Sequence, residues 1–569
     1  MKRFYIFLLL SQIVSMLVFL LCYPSTIQMQ ECDDLFLLSG DFIAEVLSRN
    51  QGATALIQDF VCQFFSAAWA GALIYSLLIS LSILFLFLAL RNLGKEKLYW
   101  LAFIPGPAIA ALSFPFIDIT LNFLFFTLFL YLYTCIKKTV ARCIYVFIIV
   151  VPSFCFMTWY ESTLLFVSLF AIESAIYKRR ISAACILLAA AISLFVPRLW
   201  SEVVSFVAFS SRPFNGISDS ISLKLLAVYL FTALGVAFPV KHGGHKILGY
   251  TVTTAAIAAI AAFAIYMATY DDLLFGERTN KISLLADQKE WSEIIAEIPY
   301  DDAVKNQVLT SYLMLAQNAM GTMAQNLFSL PINNPEMFLF RHNQIPFYLN
   351  FNRQFYDNIE IWDEAFHMAF EYGITKREND CFRAMRFKTD YAIKSKDFGT
   401  AEYYLNLLSQ SCNNNDFVET RRDMLQTAQK SSTAKNLPPY RSDTFVGGYP
   451  MASETFRLFE RNTKSRKLLD YVLCCLLLNK EVDKFAIILS HFNLYKDDEL
   501  PQTYAEALAA LASRDPKARN IVKYDSIFDS KFADFCAKAH NKTIPSEYAG
   551  TYWTYLFFRD MAPTPNNPN

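Results

Sequence analysis

The sequence predicts an all-α protein in two parts, a polytopic bundle of about nine transmembrane helices followed by an extracytoplasmic domain of helical repeats. Three observations predict it. The 569-residue chain is 54% hydrophobic and only 18% charged, with a mean hydropathy of +0.28, whereas soluble proteins carry about a quarter charged residues. The deficit is uneven: apolar runs dominate from Phe4 to Met267, and Lys, Arg, Asp and Glu recur at ordinary frequency from Asp271 onward. Beyond that shift the periodicity becomes that of amphipathic helices joined by short polar turns. The sequence thus divides into 1–270 and 271–569, and the second part, roughly 300 residues, is long enough for a core of its own.

A bilayer core of about 30 Å takes about 20 apolar helical residues to cross. Runs of this kind lie near 3–23, 63–90, 99–116, 119–136, 143–160, 162–177, 181–200, 222–240 and 248–269. The first opens Met1-Lys2-Arg3 but ends Phe19-Leu20-Leu21-Cys22, without the small residues of a cleavage site, and reads as a retained signal anchor. Basic residues cluster at every second connection: Lys2 and Arg3; Arg91, Lys95 and Lys97; Lys137, Lys138 and Arg142; Lys178, Arg179 and Arg180; Lys241 and Lys246. The positive-inside bias places these in the cytoplasm. An odd number of spans then puts the C-terminal domain outside. Pro105-Gly106-Pro107 breaks the third span. No intramembrane ion pair is evident, and Glu173 sits near the cytoplasmic end, where Lys178 can answer it.

In the second part, Leu284, Trp291, Ile294 and Ile295 form the inward face of a helix, and Leu309, Tyr312, Leu313 and Ala316 that of the next. Asp363-Glu364-Ala365-Phe366 continues the scheme. Lys396-Asp397-Phe398 makes a turn before a face of Ala401, Leu405 and Leu408, and a helix pair over Leu468–Phe492 turns at Asn479-Lys480. Small and large residues alternating on paired helices are how a solenoid stacks, and the array resembles degenerate tetratricopeptide repeats. Pro438, Pro439, Gly447, Gly448 and Pro450 mark a loop at 429–450, and the Pro/Asn tail at 562–569 reads as disordered.

Charge and motifs exclude several function classes. Fifty-one basic residues balance fifty-one acidic ones with no basic block, so no nucleic-acid surface is expected. There is no phosphate loop, dinucleotide fingerprint, nucleophile elbow or H-E-x-x-H. No metal-ligand set stands out, and His242 with His245 reads as a solvated turn. Cys474 and Cys475 lie in an apolar helical run and read as core. Cys32 and Cys62 flank the first outer loop, where an oxidising compartment would let them pair.

That outer loop, 24–62, carries the strongest chemical signal. Glu31-Cys32-Asp33-Asp34 sets three carboxylates just beyond the first span. Leu35, Phe36, Leu38, Phe42, Ile43, Val46 and Leu47 oppose Ser39, Asp41, Glu45 and Arg49, as in a helix lying in the membrane interface. A carboxylate can take the proton of an acceptor hydroxyl while a neighbour, with or without Mg²⁺ or Mn²⁺, manages donor phosphate charge. Like charges this close also raise one pKa, as a general base needs. Topology brings further groups to the same face: Asp118; Glu161 with Trp159 and Tyr160, the rings of the last two able to stack on a sugar or serve as an interfacial belt; and Arg198 and Arg212, which can grip a phosphate.

Span, acidic cluster, interfacial helix, span: this layout resembles membrane glycosyltransferases of the C superfamily (GT-C), which implies a lipid-phosphate sugar donor such as a polyprenyl-phosphate sugar and an acidic first outer loop, here matched by Glu31, Asp33 and Asp34. The chain also resembles a polytopic Bacteroidota family of unknown function with a C-terminal tetratricopeptide-like domain. The matching elements are Gln63-Phe64-Phe65 with Gly71-Ala72, and Leu500-Pro501-Gln502-Thr503-Tyr504-Ala505-Glu506-Ala507. That likeness implies a multi-pass inner-membrane protein with a periplasmic C-terminal domain. The expected function is sugar transfer at the outer membrane face. The alternatives are a membrane-anchored scaffold whose repeats bind periplasmic proteins, and a transporter.

Overall fold

The computed structural model describes residues 2–48, 52–153, 159–200, 219–237, 247–330, 332, 335–340, 345–376, 380–432, 465–492, 495, 499–520, 522–539 and 545–559. Every regular element among them is helical. The chain falls into two units, Met1–Arg278 with Asn406–Val418, and Thr279–Leu405 with Glu419–Asn569.

The first unit comprises α1 (Lys2–Cys22), α2 (Pro24–Asp33), α3 (Gly40–Ser48), α4 (Gly52–Cys62), α5 (Ala68–Asn92), α6 (Pro105–Ser113), α7 (Ile117–Cys135), α8 (Thr139–Ser153), α9 (Trp159–Ile172), α10 (Arg180–Trp200), α11 (Asp219–Ala237) and α12 (Ile247–Thr269). Among the described residues, α1, α5, α7 and Ser220–Ala237 of α11 are long and apolar enough to cross a membrane. Thr253–Thr269 with α13 (Asp271–Gln288), bent at Tyr270, makes a fifth if the pair counts as one span. Thr139–Ser153, Thr163–Tyr177 and Arg180–Ser193 are apolar but shorter. By length and composition, then, the described residues show four or five of the nine expected spans.

The segment expected as a third span, 99–116, shows why. Pro105 and Pro107 lack the N–H an inner turn needs, so they fit only the first turn of a new helix. The chain accordingly forms a 3₁₀ stretch at Glu96–Phe103 and restarts as the nine-residue α6, about 14 Å long at 1.5 Å per residue. At the centre of the unit α5 packs against α1 and α7. Phe4 stacks on Phe87 with ring centroids 3.7 Å apart, and Phe19 lies 4.9 Å from Tyr75.

The segment 24–62 is itself folded, as α2, α3 and α4. The interfacial helix expected from Leu35 begins only at Gly40, where the Ser39 hydroxyl accepts the Phe42 N–H at 3.2 Å. Before it, residues 34–39 form no helix, and the Leu38 N–H donates to the Gln410 carbonyl at 2.8 Å.

The second unit is built from helical hairpins whose turns share one device. Lys289, Glu360, Lys396 and Lys480 have φ of 62°, 66°, 62° and 58°. In each case the next N–H reaches back five residues: Glu290 to Leu285, Ile361 to Tyr356, Asp397 to Ala392 and Glu481 to Leu476, at 2.9–3.0 Å. These are Schellman closures, which satisfy the last carbonyls of a helix while the chain reverses. The turns at Lys396 and Lys480 fall where the sequence sets them. The helix expected to run through 283–295 is instead split at Lys289 into α13 and Trp291–Glu297, and Leu284 is only half-buried, with Ile282 and Leu285 taking the inward positions. Leu309, Tyr312, Leu313 and Ala316 are all buried, as are Cys474 and Cys475.

A polar network runs through this core. Asp287 pairs with Arg353 and, at 2.6 Å, with Nε of Arg383, and accepts Gln354 Nε2 at 2.7 Å. Both guanidiniums are buried, and a quarter of the Asp287 side chain is exposed. Burial alone would raise the Asp287 pKa, but the two arginines outweigh it and hold the carboxyl below its usual range. The loop expected at 429–450 lies outside the described residues from 433 onward, while 429–432 close the helix Asn415–Ser432. The tail at 562–569 also lies outside them.

Candidate functional site

The acidic run closes α2, and local chemistry explains how. Pro24 at the first helical position starts a new helix directly after α1. The Glu277 carboxylate accepts the Ser25 and Thr26 N–H groups at 2.8 and 2.7 Å. An anion there meets the positive end of the helix dipole. Ten residues later Asp34 ends the helix in extended backbone, its N–H still bonded to the Gln30 and Glu31 carbonyls.

The three acids are not equivalent. Glu31 is 2% exposed and Asp34 8%, while Asp33 is half-buried. The helices α2 and α7 pack against α5, and α4 packs against α7. Near the start of α5, the Tyr75 hydroxyl lies 2.8 Å from Gln30 Oε1 and 2.9 Å from the Pro115 carbonyl, and donates to one or the other. Asp34, whose N–H bonds the Gln30 carbonyl, and Asp118, three residues beyond Pro115, both lie next to the residues this hydroxyl meets, so two of the acids named from the sequence share one neighbourhood. Asp118 is half-buried in the first turn of α7. Sequence reading passed over Asp59, which is fully buried on α4. Its place five residues beyond a buried Thr54, whose hydroxyl donates to Asn122 of α7 at 3.1 Å, is apparent only in three dimensions.

Trp159, Tyr160 and Glu161 occupy the first turn of α9, and Arg198 lies in α10, but their side chains are outside the described residues. Arg212 is outside them altogether. Among the described residues no group of three His, Cys, Asp or Glu side chains stands close enough to hold a metal ion. Cys32 and Cys62 are separate thiols.

At another part of this unit the sequence reading of Glu173 is corrected. Arg142, not Lys178, answers it: Nη1 lies 2.6 Å from Glu173 Oε1, with side chains 2% and 0% exposed. The Tyr133 hydroxyl donates to the same oxygen at 2.6 Å, and Arg142 Nε donates to the Ile136 carbonyl at 2.6 Å. The guanidinium also lies 3.5 Å from the Tyr177 ring centroid. Lys178 is exposed. A π-helical stretch over Glu173–Tyr177 turns the carboxylate inward, which periodicity at 3.6 residues per turn does not foresee.

The two sequence signatures turn out to be joints. Gly71 has no room for a Cβ, which would stand 2.3 Å from Ile27 Cγ2 and 3.1 Å from the Phe65 ring. It lets α2 sit directly on α5. Gln63 Oε1 accepts the Cys412 N–H at 2.9 Å, tying Asn406–Val418 into the first unit. In the other signature, Tyr504 donates to Asp470 Oδ1 at 3.0 Å, Glu506 Oε2 accepts the Tyr552 N–H at 2.8 Å, and the Trp553 indole donates to the Glu506 carbonyl at 2.8 Å. Burial pushes the carboxyls of Asp470 and Glu506 above their usual range.

Residues 1–559 match the model of DUF6057, a family of unknown function, and the chain belongs to that family. No curated protein matches the chain, and no solved structure does.

Proposed function

We propose that this DUF6057 protein is a multi-pass inner-membrane protein of the bacterial envelope. Its acid-bearing end, at the outer membrane face, transfers a sugar from a polyprenyl-phosphate donor in the manner of GT-C enzymes. One observation carries the reading: Glu31 and Asp34 are buried, where a solvated turn after an anchor helix would leave them in water. Burying a carboxylate is costly unless its surroundings use it. Asp118 and Tyr75 stand in the same neighbourhood.

In this account Glu31 or Asp34 takes the proton of an acceptor hydroxyl as its oxygen bonds to the anomeric carbon. The bond from that carbon to the phosphate oxygen breaks, and the lipid phosphate leaves with the electron pair. Asp33 and Asp118 border the site, Trp159, Tyr160 and Glu161 contact the sugar, and Arg198 and Arg212 bind phosphate. Mg²⁺ or Mn²⁺, where used, would take one or two of these carboxylates and complete its shell from donor phosphate oxygens. The C-terminal hairpins, read as periplasmic tetratricopeptide-like repeats, recruit the acceptor or a periplasmic protein. The positive-inside pattern, with further spans among the shorter apolar helices, supports that orientation.

The Arg142–Glu173 pair favours a second reading, a transporter, because buried intramembrane charges mark ion pathways. Complementation of a deletion strain separates the readings, scored by envelope glycan profile and by protein level in the membrane. The transferase reading expects Glu31→Gln or Asp34→Asn to abolish a glycan band at normal protein level. Wild-type glycans from both variants would overturn it. A null phenotype from Glu173→Gln in their place would favour transport, and one from loss of 272–569 alone a scaffold.

A further inference from the structure

Between α9 and α10 runs a cavity of 190 Å³ walled by Phe166, Phe170, Ile186, Leu187 and Ala190. Its surface is almost wholly apolar. It is smaller than the roughly 300–1,000 Å³ of small-molecule sites, and of its lining residues only Thr163 and Ser193 carry a hydroxyl. An apolar lining of this kind suits a stretch of hydrocarbon chain.

One end of the same helix pair carries a collar of positive charge. Lys137, Lys138, Lys178 and Arg180 are exposed, and none is ion-paired among the described residues. They are held together by the half-buried Arg179, whose Nη1 donates at 2.9 Å to both the Lys137 carbonyl and the Thr139 hydroxyl. This bridge joins the turn before α8 to the turn before α10. Among the described residues the buried carboxylate nearby, Glu173, is committed to Arg142 and Tyr133. The collar therefore keeps an uncompensated positive charge. Arg180 precedes Ile186 of the cavity wall by six residues on one helix, about 9 Å at 1.5 Å per residue.

We infer that this hairpin binds an anionic phospholipid, its headgroup phosphate on Lys137, Lys138, Lys178 and Arg180 and one acyl chain in the cavity between α9 and α10. Charge complementarity selects the headgroup, since basic residues at a bilayer surface attract anionic lipids. The apolar walls select a chain that continues from it. A free phosphate would use the collar but leave the cavity empty. The inference needs a membrane location but not the proposed chemistry, which concerns other residues.

The test is native mass spectrometry of the full-length protein, released from detergent and titrated with phosphatidylglycerol or phosphatidylcholine. The wild type retains phosphatidylglycerol in preference. Changing Lys137, Lys138, Lys178 and Arg180 together to Gln lowers that preference at least tenfold. The charge-preserving exchange Lys137→Arg, Lys138→Arg, Lys178→Arg, Arg180→Lys keeps it, which separates charge from folding. Ala190→Phe, which fills the cavity, lowers retention of both lipids, while a short-chain glycerophosphate still competes at the collar. Unchanged preference in the quadruple Gln variant, unchanged retention in Ala190→Phe, or a second copy of the chain cross-linked across the cavity would each overturn the inference.

Discussion

Replacing Asp287 by Asn should unfold the second unit well below the wild-type temperature. The carboxylate is the shared counter-ion of Arg353 and Arg383, whose side chains are each 7% exposed. Its loss strands two buried cations. Removing one partner of a buried ion pair costs about 3–5 kcal/mol. The lower end applies, because a quarter of the Asp287 side chain reaches solvent. Residual bonds also soften the loss: Arg353 Nε keeps Asn350 Oδ1 at 3.0 Å, and Arg383 Nη2 keeps the Ser283 hydroxyl at 2.8 Å. A cost of about 3 kcal/mol corresponds to a fall of at least about 6 °C in the midpoint of a unit this size.

Because the chain has two units, the reporter must be local, and Cys474 and Cys475 serve. Both thiols are fully buried in the same apolar cluster as Ile282 and Leu285, beside Asp287. Pulsed thiol labelling of the full-length protein against temperature, read by peptide mass spectrometry, reports their exposure. The pH dependence has a definite sign. The folded pKa of Asp287 lies below the unfolded value near 3.8, so its contribution is complete above that value and is lost as pH falls through the folded pKa. The gap between wild type and variant should therefore close in strong acid. A midpoint within 1 °C of wild type at neutral pH would refute the assignment of Asp287 as the keystone.

Three other perturbations probe separate parts of the structure. Lys396→Gly relieves a left-handed residue at a hairpin turn and should stabilise the second unit by about 1 kcal/mol in the same labelling assay, whereas Lys396→Ala should not. Asp470→Asn keeps acceptors for Tyr495 and Tyr504 but removes a buried charge whose pKa burial has raised. The wild type loses stability as pH rises from about 3.8 to the folded value, so the variant's higher midpoint should be full at neutral pH and vanish in acid. Arg142→Met strands Glu173 and should cost about 3–5 kcal/mol, while Arg142→Met with Glu173→Leu should recover most of it, measured as membrane yield and detergent melting.

The helical class and the apolar helices were legible in the sequence because both follow from local patterning. Leu309, Tyr312, Leu313 and Ala316 declare a face at helical spacing, and Lys396 and Lys480 sit where a polar break interrupts an apolar run. What patterning misses is long-range. Arg142 and Glu173 are 31 residues apart in sequence, and their pairing rests on a π-helical stretch that shifts register. The segment Asn406–Val418 joins the first unit through bonds such as that from the Cys412 N–H to Gln63, across 349 residues. At the acidic end, the run of three carboxylates is visible in sequence. That Glu31 and Asp34 turn inward while Asp33 stays half-buried depends on where α2 ends.

The central claim, that Glu31 and Asp34 serve sugar transfer, is tested most directly on the donor side. Lipid-linked sugars would be quantified by mass spectrometry in membranes of a deletion strain carrying wild type, Glu31→Gln or Asp34→Asn at matched protein level. The account predicts that the variants accumulate an unspent polyprenyl-phosphate sugar, whichever sugar it carries. A lipid-linked pool in both variants indistinguishable from wild type would contradict it.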